Sequence, residues 1–353
     1  MLLIVFCVFI AVVVIQFLYY IVVFGKFSFA KPQTVNPKRV PISVIVCAKN
    51  EEENVKKFVP LLAEQDYHTF EIVLIDDASS DNTLEIFEEF EAFWGNKKFA
   101  LTLGIKAAKY EYLLFTDADC YPTSKDWITA MSAQFTQQKN IVLGYGAYEK
   151  ISNSFLNKII RFETLLTATQ YFSWAKIGKP YMGIGRNMAY KREEFFKVRG
   201  FMDHMKIRSG DDDLFINQAA NGDNTTICYV PDSFTYSTPK TRFKDWFTQK
   251  RRHVSTAKHY KLFDRNQLGL FYVSQLLFLL LPIVLLAFQY QWIAVVSIIG
   301  FRYLFAWLTL GFAAGKLKEK DVMYWFPIIE IVLIFTQLNV FITNTFSKPV
   351  HWK

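Results

Sequence analysis

Asp117 and Asp119 stand one residue apart at the end of the apolar stretch "YLLFTDADCYP", Tyr112 to Pro122. Side chains two apart on extended backbone point the same way, so these carboxylates converge on one point. Burying carboxylates is costly, which places them just past a strand, against a ligand or in a turn before Tyr121-Pro122. A second acidic group, Asp211, Asp212 and Asp213, lies in "SGDDDLFIN". Repulsion among three adjacent acids raises at least one carboxyl toward the basicity needed to take a proton. The competing reading is an acidic loop that caps the run "LFINQAA" as a helix. Farther on, "QKRRH" carries Gln249 and Arg252, and an arginine fork suits phosphate. Residues of these types could gather a cation, accept a proton and grip an anionic group.

The elements around them must bring such distant residues to one place. "ISVIVCAKN", "FEIVLIDDAS" and "EYLLFTDADC" are short, nearly continuous apolar runs separated by the helical-looking "EEENVKKFVPLLAEQ", "DNTLEIFEEFEAF" and "LGIKAAKY". That alternation predicts parallel strands in a doubly wound α/β sheet. In such sheets ligands bind at the carboxyl ends of the strands. Three runs end in polar groups there: Lys49-Asn50-Glu51, Asp76-Asp77 and Asp117-Ala118-Asp119. One such end could be a helix cap, for which Ser80 or Asp81 is suited; three in succession point to a site.

Composition adds a membrane. Of 353 residues 52% are hydrophobic and 17% aromatic, above the usual soluble share. Leu2 to Phe24 is uncharged and long enough to span a bilayer, with no basic segment or good cleavage site to mark a signal peptide. Asn266 to Phe301 lacks Asp, Glu, Lys and Arg, and Gln289-Tyr290-Gln291 divides it into helices of about 268–288 and 292–314. A last segment covers about 322–346. Arg302 and Glu330, in neighbouring segments, form either a buried ion pair or a polar channel contact. The net charge of +8 is concentrated, with nine Lys or Arg against two Asp between Lys240 and Arg265. Its position before the apolar third favours anionic lipid over nucleic acid as partner. Phe243, Trp246, Phe247, Val254, Ala257 and Tyr260 recur there at helical spacing, which predicts an amphipathic interfacial helix. Lys26, Lys31, Lys38 and Arg39, the basic block, and Lys316, Lys318 and Lys320 all fall on one side of a four-span topology. The positive-inside rule makes that side cytoplasmic. The four cysteines are scattered without metal-ligand spacing, and disulfides are not expected.

"SVIVCAKNEEENV", "VLIDDASSDNT", "NKKFALTLGIKAAKYEYLLFTDADC" and "GDDDLFIN" together, in order, resemble the motifs of family 2 glycosyltransferases of GT-A fold. The membrane layout resembles that of hyaluronan, chitin and cellulose synthases and ceramide glucosyltransferase. The resemblance covers about 40–260. It implies that Asp119 ligates a divalent metal, Mg²⁺ or Mn²⁺, and that Asp117 contacts the ribose or the metal shell. It implies that Asp77 meets the base of a nucleotide sugar, with Ala48 and Glu51 beside base and ribose. Matching the leading G-D-D makes Asp212 the catalytic base, with Asp211 its neighbour, although Leu214 and Phe215 are offset from the family pattern. Gly183, Gly185 and Asn187 would line the sugar and acceptor pocket; a tight structural turn is the competing reading. Gln249 and Arg252 match Q-x-x-R-W, with Arg252 on the departing diphosphate. His253 replaces the tryptophan that stacks on a growing glycan, which counts against long processive synthesis.

The implied protein is a GT-A-like α/β enzyme with one N-terminal and three C-terminal transmembrane helices. Its expected parts are a membrane helix at 1–25, a cytosolic domain at 40–240, an interfacial helix at 241–265 and three membrane helices at 268–346. The expected reaction is inverting transfer from a nucleotide sugar, a UDP-sugar foremost, to a hydroxyl of a lipid, lipid-linked or polysaccharide acceptor, at a bacterial inner membrane. One departure stands out. Only Trp94-Gly95-Asn96 separate the helix of 81–93 from "KKFALTLGIKAA", where relatives have another strand. On that feature rests the alternative, an impaired nucleotide-sugar-binding scaffold of an envelope glycan assembly.

Overall fold

The computed structural model describes residues 1–88, 92–94, 97–207 and 209–347. The chain divides into two compact units. One comprises 32–152 and 178–240 and is an α/β unit; the other comprises 1–31, 153–177 and the described residues from 241 onward, and is helical.

The α/β unit contains strands β1 (Ile42–Ala48), β2 (Phe70–Asp76), β3 (Ala92–Trp94), β4 (Tyr112–Asp117), β5 (Cys120–Pro122), β6 (Ile141–Leu143), β7 (Gly146–Tyr148), β8 (Met188–Lys191), β9 (Thr225–Ile227) and β10 (Thr235–Ser237). Seven form one sheet in the order β3-β2-β1-β4-β8-β6-β9, and β5-β10-β7 form a smaller one. β1 lies between β2 and β4, parallel to both, with Val44, Ile45 and Val46 fully buried. Each such side chain contributes roughly 1.5–3 kcal/mol by leaving water. The helix Glu52–Ala63 lays Val55, Phe58, Val59 and Leu62 inward, an i, i+3, i+4, i+7 stripe. Val55, Val59 and Leu62 join Val44, Val46, Leu74, Leu114, Trp127 and Met131 in one core cluster.

Two expectations change here. The sheet is mixed, because β8 runs antiparallel to both β4 and β6. The second helix is shorter than 81–93: it covers Thr83–Glu88, and Ala92–Trp94 pairs in parallel with Leu74–Asp76 of β2. The strand that the sequence was read as lacking is present as a three-residue edge, which covers backbone groups of β2 that would otherwise stay unpaired. Residues 95 and 96 of the connection lie outside the described residues.

In the helical unit four helices are long and apolar enough to cross a membrane: Leu2–Ser28, Leu262–Ala287, Trp292–Lys316 and Lys320–Phe346. The second begins several residues earlier than expected. Helix Phe155–Lys176, which the sequence reading assigned to the α/β domain, belongs to this unit. Its buried face includes Ile159, Phe162, Leu165 and Phe172. Its Arg161 donates from Nε to Glu319 Oε2 (2.8 Å) and from Nη1 to Asp321 Oδ2 (2.8 Å). Charges along the helix interrupt its apolar pattern, so no uncharged run announces it.

Arg302 and Glu330 are buried, and the guanidinium meets the carboxylate from two nitrogens, Nη1 to Oε2 at 2.7 Å and Nη2 to Oε1 at 2.5 Å. The ion-pair reading therefore holds. Arg302 Nε also donates to Gln16 Oε1 (2.5 Å), Gln16 Nε2 to Ser274 O (2.8 Å), and Tyr20 Oη to Glu330 Oε1 (3.2 Å). All four of these membrane-length helices thus contribute to one polar cluster. Glu330→Ala leaves a buried guanidinium without its counter-charge and should cost about 3 kcal/mol or more. Thermal unfolding in detergent checks this; Arg302→Met with Glu330→Leu should recover most of the loss.

Candidate active site

Register brings the polar strand ends together. Ala48 of β1 lies opposite Asp76 of β2, and Cys47 opposite Asp117 of β4. The loops that follow are laced to each other. Asn50, at φ 54°, donates its N–H to Ser79 Oγ (2.8 Å), and its Oδ1 accepts the Ser80 N–H (2.7 Å). Asp81 Oδ1 accepts the N–H (3.1 Å) and hydroxyl (2.6 Å) of Thr83, and its Oδ2 accepts the Glu52 N–H (3.3 Å). Asp81 thus serves the starts of two helices. Asp76, almost fully buried, closes the turn by accepting from Ser79 N–H (3.0 Å) and the Ser79 hydroxyl. The next residue, Asp77, is half-buried, and its Oδ2 lies 3.7 Å from Lys49 Nζ.

Ala48, Glu51, Asp77, Asp117 and Asp119, each singled out from the sequence, line one cavity of about 70 Å³ with Cys47, Lys49 and Ala118. Ala48 is buried and forms part of its floor. Burial raises the Glu51 pKa against the hydrogen bond from Asn54 Nδ2 (2.6 Å), and the negative charges of Asp119 and Asp117 push it the same way. Metal-ligating atoms of Asp117, Asp119 and Cys120 lie within 4.8 Å of one another. Cys120 is not suited as the third ligand of a hard cation. Burial, and then the charge of Asp119, hold its thiol well above the ordinary range, and its Sγ donates to Asp119 Oδ1 (3.3 Å). Two carboxylates beside a neutral thiol fit Mg²⁺ or Mn²⁺, which prefer oxygen and keep several waters.

The loop 183–187 meets the second acidic group. The Gly185 N–H donates to Asp212 Oδ2 (2.8 Å), and the Asp213 N–H to Asp212 Oδ1 (2.7 Å) at the start of helix Asp213–Ala219. These donors help fix the orientation of the carboxylate. Asp213 is buried and its Oδ1 accepts the Leu214 N–H (2.7 Å); Asp211 is half-buried. Gly210 enters the triplet at φ +90°, where a Cβ would stand 2.5 Å from Leu214 Cδ1. Only glycine fits there.

Two cations that the sequence reading passed over organise this region. Arg186 donates to Gly146 O (2.9 Å) and Ser237 Oγ (2.6 Å) and lies over the Tyr148 ring at 4.3 Å. Burial disfavours its charge, yet the surrounding groups, the carboxylates of Asp119 and Asp117 among them, outweigh that, and its pKa stands above the ordinary arginine value. A charged residue inside the otherwise small and apolar "GIGRNM" was the available signal. Lys98 is buried and donates to the carbonyls of His204 (2.9 Å), Ile207 (2.7 Å) and Ser209 (2.9 Å), pinning the loop that delivers Gly210–Asp213. No local pattern marks it.

Two expected acceptor contacts are structural instead. Asn187 is fully buried; its Nδ2 donates to Tyr145 O (2.8 Å) and Ser233 O (2.6 Å), and its Oδ1 accepts from Trp127 Nε1 (3.1 Å). Gly183 is a packing glycine, where a Cβ would stand 3.0 Å from Leu143 Cδ2 and 3.1 Å from Ile216 Cγ1. Gln249, Arg252 and His253 lie on helix Phe243–Thr256 of the helical unit. Arg252 is half-buried, and burial lowers its pKa; His253 is exposed. The same helix is tied within its unit by Lys250 Nζ to Glu163 Oε2 (2.7 Å) and Arg251 Nε to Asn344 Oδ1 (2.9 Å).

Residues 43–209 match the family described as Glycosyl transferase family 2. Over 88 residues it is 38% identical to the poly-beta-1,6-N-acetyl-D-glucosamine synthase of Staphylococcus epidermidis, covering 22% of this chain and 21% of that protein. Over 110 residues it is 30% identical to the 4,4'-diaponeurosporenoate glycosyltransferase of Staphylococcus haemolyticus, covering 28% and 29%. The matched stretches therefore span less than a third of either relative. The mannosyltransferase PcManGT of Pyrobaculum calidifontis, solved with GDP-Man and Mn²⁺, shares the fold at TM-score 0.58 and 18% identity, over 95% of this chain and 99% of that one. The fold is GT-A-like.

Asn187→Ala should lower the thermal midpoint, at about 1 kcal/mol or more per buried group left unpaired, while leaving acceptor KM unchanged. A second outcome concerns acid. Burial, and then the charge of Lys98, hold His204 down to about 4 from 6.5. The unfolded chain then binds more protons between those values, so stability present above pH 6.5 is lost as pH falls toward 4. Thermal midpoints recorded at neutral and mildly acid pH should fall less for His204→Gln than for the wild type.

Proposed function

We propose that this protein is an inverting glycosyltransferase that moves a sugar from a nucleotide diphosphate sugar to an acceptor hydroxyl at a membrane. The observation that carries the reading is the loop 183–187, which engages Asp212 through Gly185 and carries Arg186 within the electrostatic reach of Asp117 and Asp119. The residues at the ends of β1, β2 and β4 suit the donor's polar groups: Asp77 would accept from the base, a uracil foremost, with Ala48 and Glu51 beside base and ribose. Asp117 and Asp119 would hold a divalent metal, which when bound neutralises charge developing on the diphosphate. The Pyrobaculum neighbour's GDP-Man and Mn²⁺ agree with that reading.

Arg186 brings a positive charge to the clustered carboxylates of Asp117 and Asp119. In the reaction Asp212 takes the proton of the acceptor hydroxyl as its oxygen bonds to the anomeric carbon. The bond from that carbon to the diphosphate breaks on the opposite face, and the diphosphate leaves with the electron pair. The N–H groups of Gly185 and Asp213 hold the Asp212 carboxylate in orientation rather than letting it swing. Arg252, with Gln249 one turn before it, would grip the departing diphosphate as a charged fork.

Four membrane-length helices support an acceptor that is a lipid, a lipid-linked sugar or an exported glycan. The small His253 at the position of a stacking tryptophan favours lipid glycosylation over polymer synthesis. The basic residues flanking the spans favour a cytoplasmic face for the α/β unit. The scaffold alternative rested on a missing strand before Lys97, and Ala92–Trp94 removes that support.

The test is release of nucleoside diphosphate by the detergent-purified chain, offered UDP- and GDP-sugars with Mn²⁺ or Mg²⁺. Asp212→Asn should retain donor binding and lose about 10²-fold or more in turnover. Asp119→Asn should lose metal-dependent donor binding. Unchanged release by Asp212→Asn would overturn the assignment of the base, and no binding of any donor would overturn the enzyme.

A further inference from the structure

The helical unit contains a groove of about 460 Å³ that the reaction above does not use. It lies between the end of helix Phe243–Thr256 with the turn Ala257–His259, the first part of Leu262–Ala287, and the end of Phe326–Phe346. Along Leu262–Ala287 its wall is the stripe Arg265, Leu268, Gly269, Tyr272 and Val273, one face of the helix at i, i+3, i+4, i+7, i+8 spacing. The stripe starts with a cation and becomes apolar as it runs into the span. Lys258 lies at the same end as Arg265, and Phe341 faces the apolar part. Asn344 holds the opposite wall in place, exchanging hydrogen bonds with Arg251 at 2.9 and 3.1 Å.

Three observations point to an amphiphile. Among the described residues, no acid lines the groove. Among the described residues, neither Lys258 nor Arg265 makes an ion pair. At Gly269 a Cβ would meet nothing within 4 Å, so the wall leaves an open slot where most residues would fill it. From Arg265 to Val273 the helix rises about 12 Å, enough to run from a headgroup into the acyl region. Cations at the boundary followed by an apolar slot match the polarity of a lipid with an anionic head.

We propose that this groove binds one acidic phospholipid, with the phosphate against Lys258 and Arg265 and an acyl chain along Leu268, Gly269 and Val273. The site rests on the reading of the four helices as membrane spans, and is independent of the donor chemistry. A lipid there would also brace the helix that carries Gln249 and Arg252, because Val254 and Ser255 of that helix line the groove.

The experiment is native mass spectrometry of the full chain in mild detergent, titrated with phosphatidylglycerol or phosphatidylcholine, with thermal midpoints measured in parallel and with inorganic phosphate as a third arm. The wild type should retain one phosphatidylglycerol at least tenfold more readily than phosphatidylcholine, and be stabilised by it. Lys258→Glu with Arg265→Glu should remove that preference. Gly269→Leu, which fills the slot and suits a helix, should weaken retention of both lipids while keeping the lipid-free midpoint. Equal retention of the two lipids overturns the proposal, as does equal stabilisation by inorganic phosphate, or wild-type binding by both variants. Recovery of the chain in the soluble fraction of cells would overturn the membrane reading itself, whereas membrane recovery without lipid preference overturns only the groove.

Discussion

The arrangement depends on the pairing of β1 with β2 and β4. Parallel register sets Ala48 against Asp76 and Cys47 against Asp117, so the apolar runs end on one line. Carboxylates cannot continue into the core without a large desolvation cost, and the same line is therefore where each strand stops and its acids emerge. A slip of one residue in either pairing would exchange the two faces of a strand and bury side chains meant for the cavity. The lacing of Asn50 to Ser79 and Ser80 then holds the first two loops in the relation the strands set.

Concentrated negative charge is the second constraint, and the fold answers it with a cation placed from elsewhere in the chain. Arg186 comes from the loop before β8 and is held by carbonyls and a hydroxyl of the smaller sheet, so its charge does not swing away from the carboxylates of β4. Lys98 acts on backbone rather than carboxylates, gathering three carbonyls of the loop that ends in Gly210. The helical unit solves a similar problem with Arg302, whose donors go to Glu330 and Gln16. In each case a polar group inside an apolar setting has its partners supplied by distant segments.

The places where sequence reasoning missed share a cause. β3 is three residues long, too short to show an alternation of its own, and it exists because β2 offers an unpaired edge. Helix Phe155–Lys176 looks soluble by its charges, but those charges are spent on partners in its own unit, Arg161 on Glu319 and Asp321 and Glu163 on Lys250. Asn187, beside glycines in an acid-rich region, had the look of a ligand contact. Its amide is instead consumed by Trp127, Tyr145 and Ser233, residues 42 to 60 positions away in the chain.

Local pattern determined much of this protein. Continuous apolar runs specified β1, β2 and β4, long runs with few charges specified the helices of membrane length, and the abrupt change from apolar to acidic at each strand end marked Asp77, Asp117 and Asp119, because burial penalties act residue by residue along the chain. The tertiary structure decided which neighbours those residues meet. Asp212 is distinguished from Asp211 and Asp213 by the N–H of Gly185, 27 residues earlier, and Arg186 and Lys98 acquire their roles only when loops close. Hydrogen bonds and charge pairs between distant segments leave no periodic trace in sequence, since either partner alone is an ordinary polar residue.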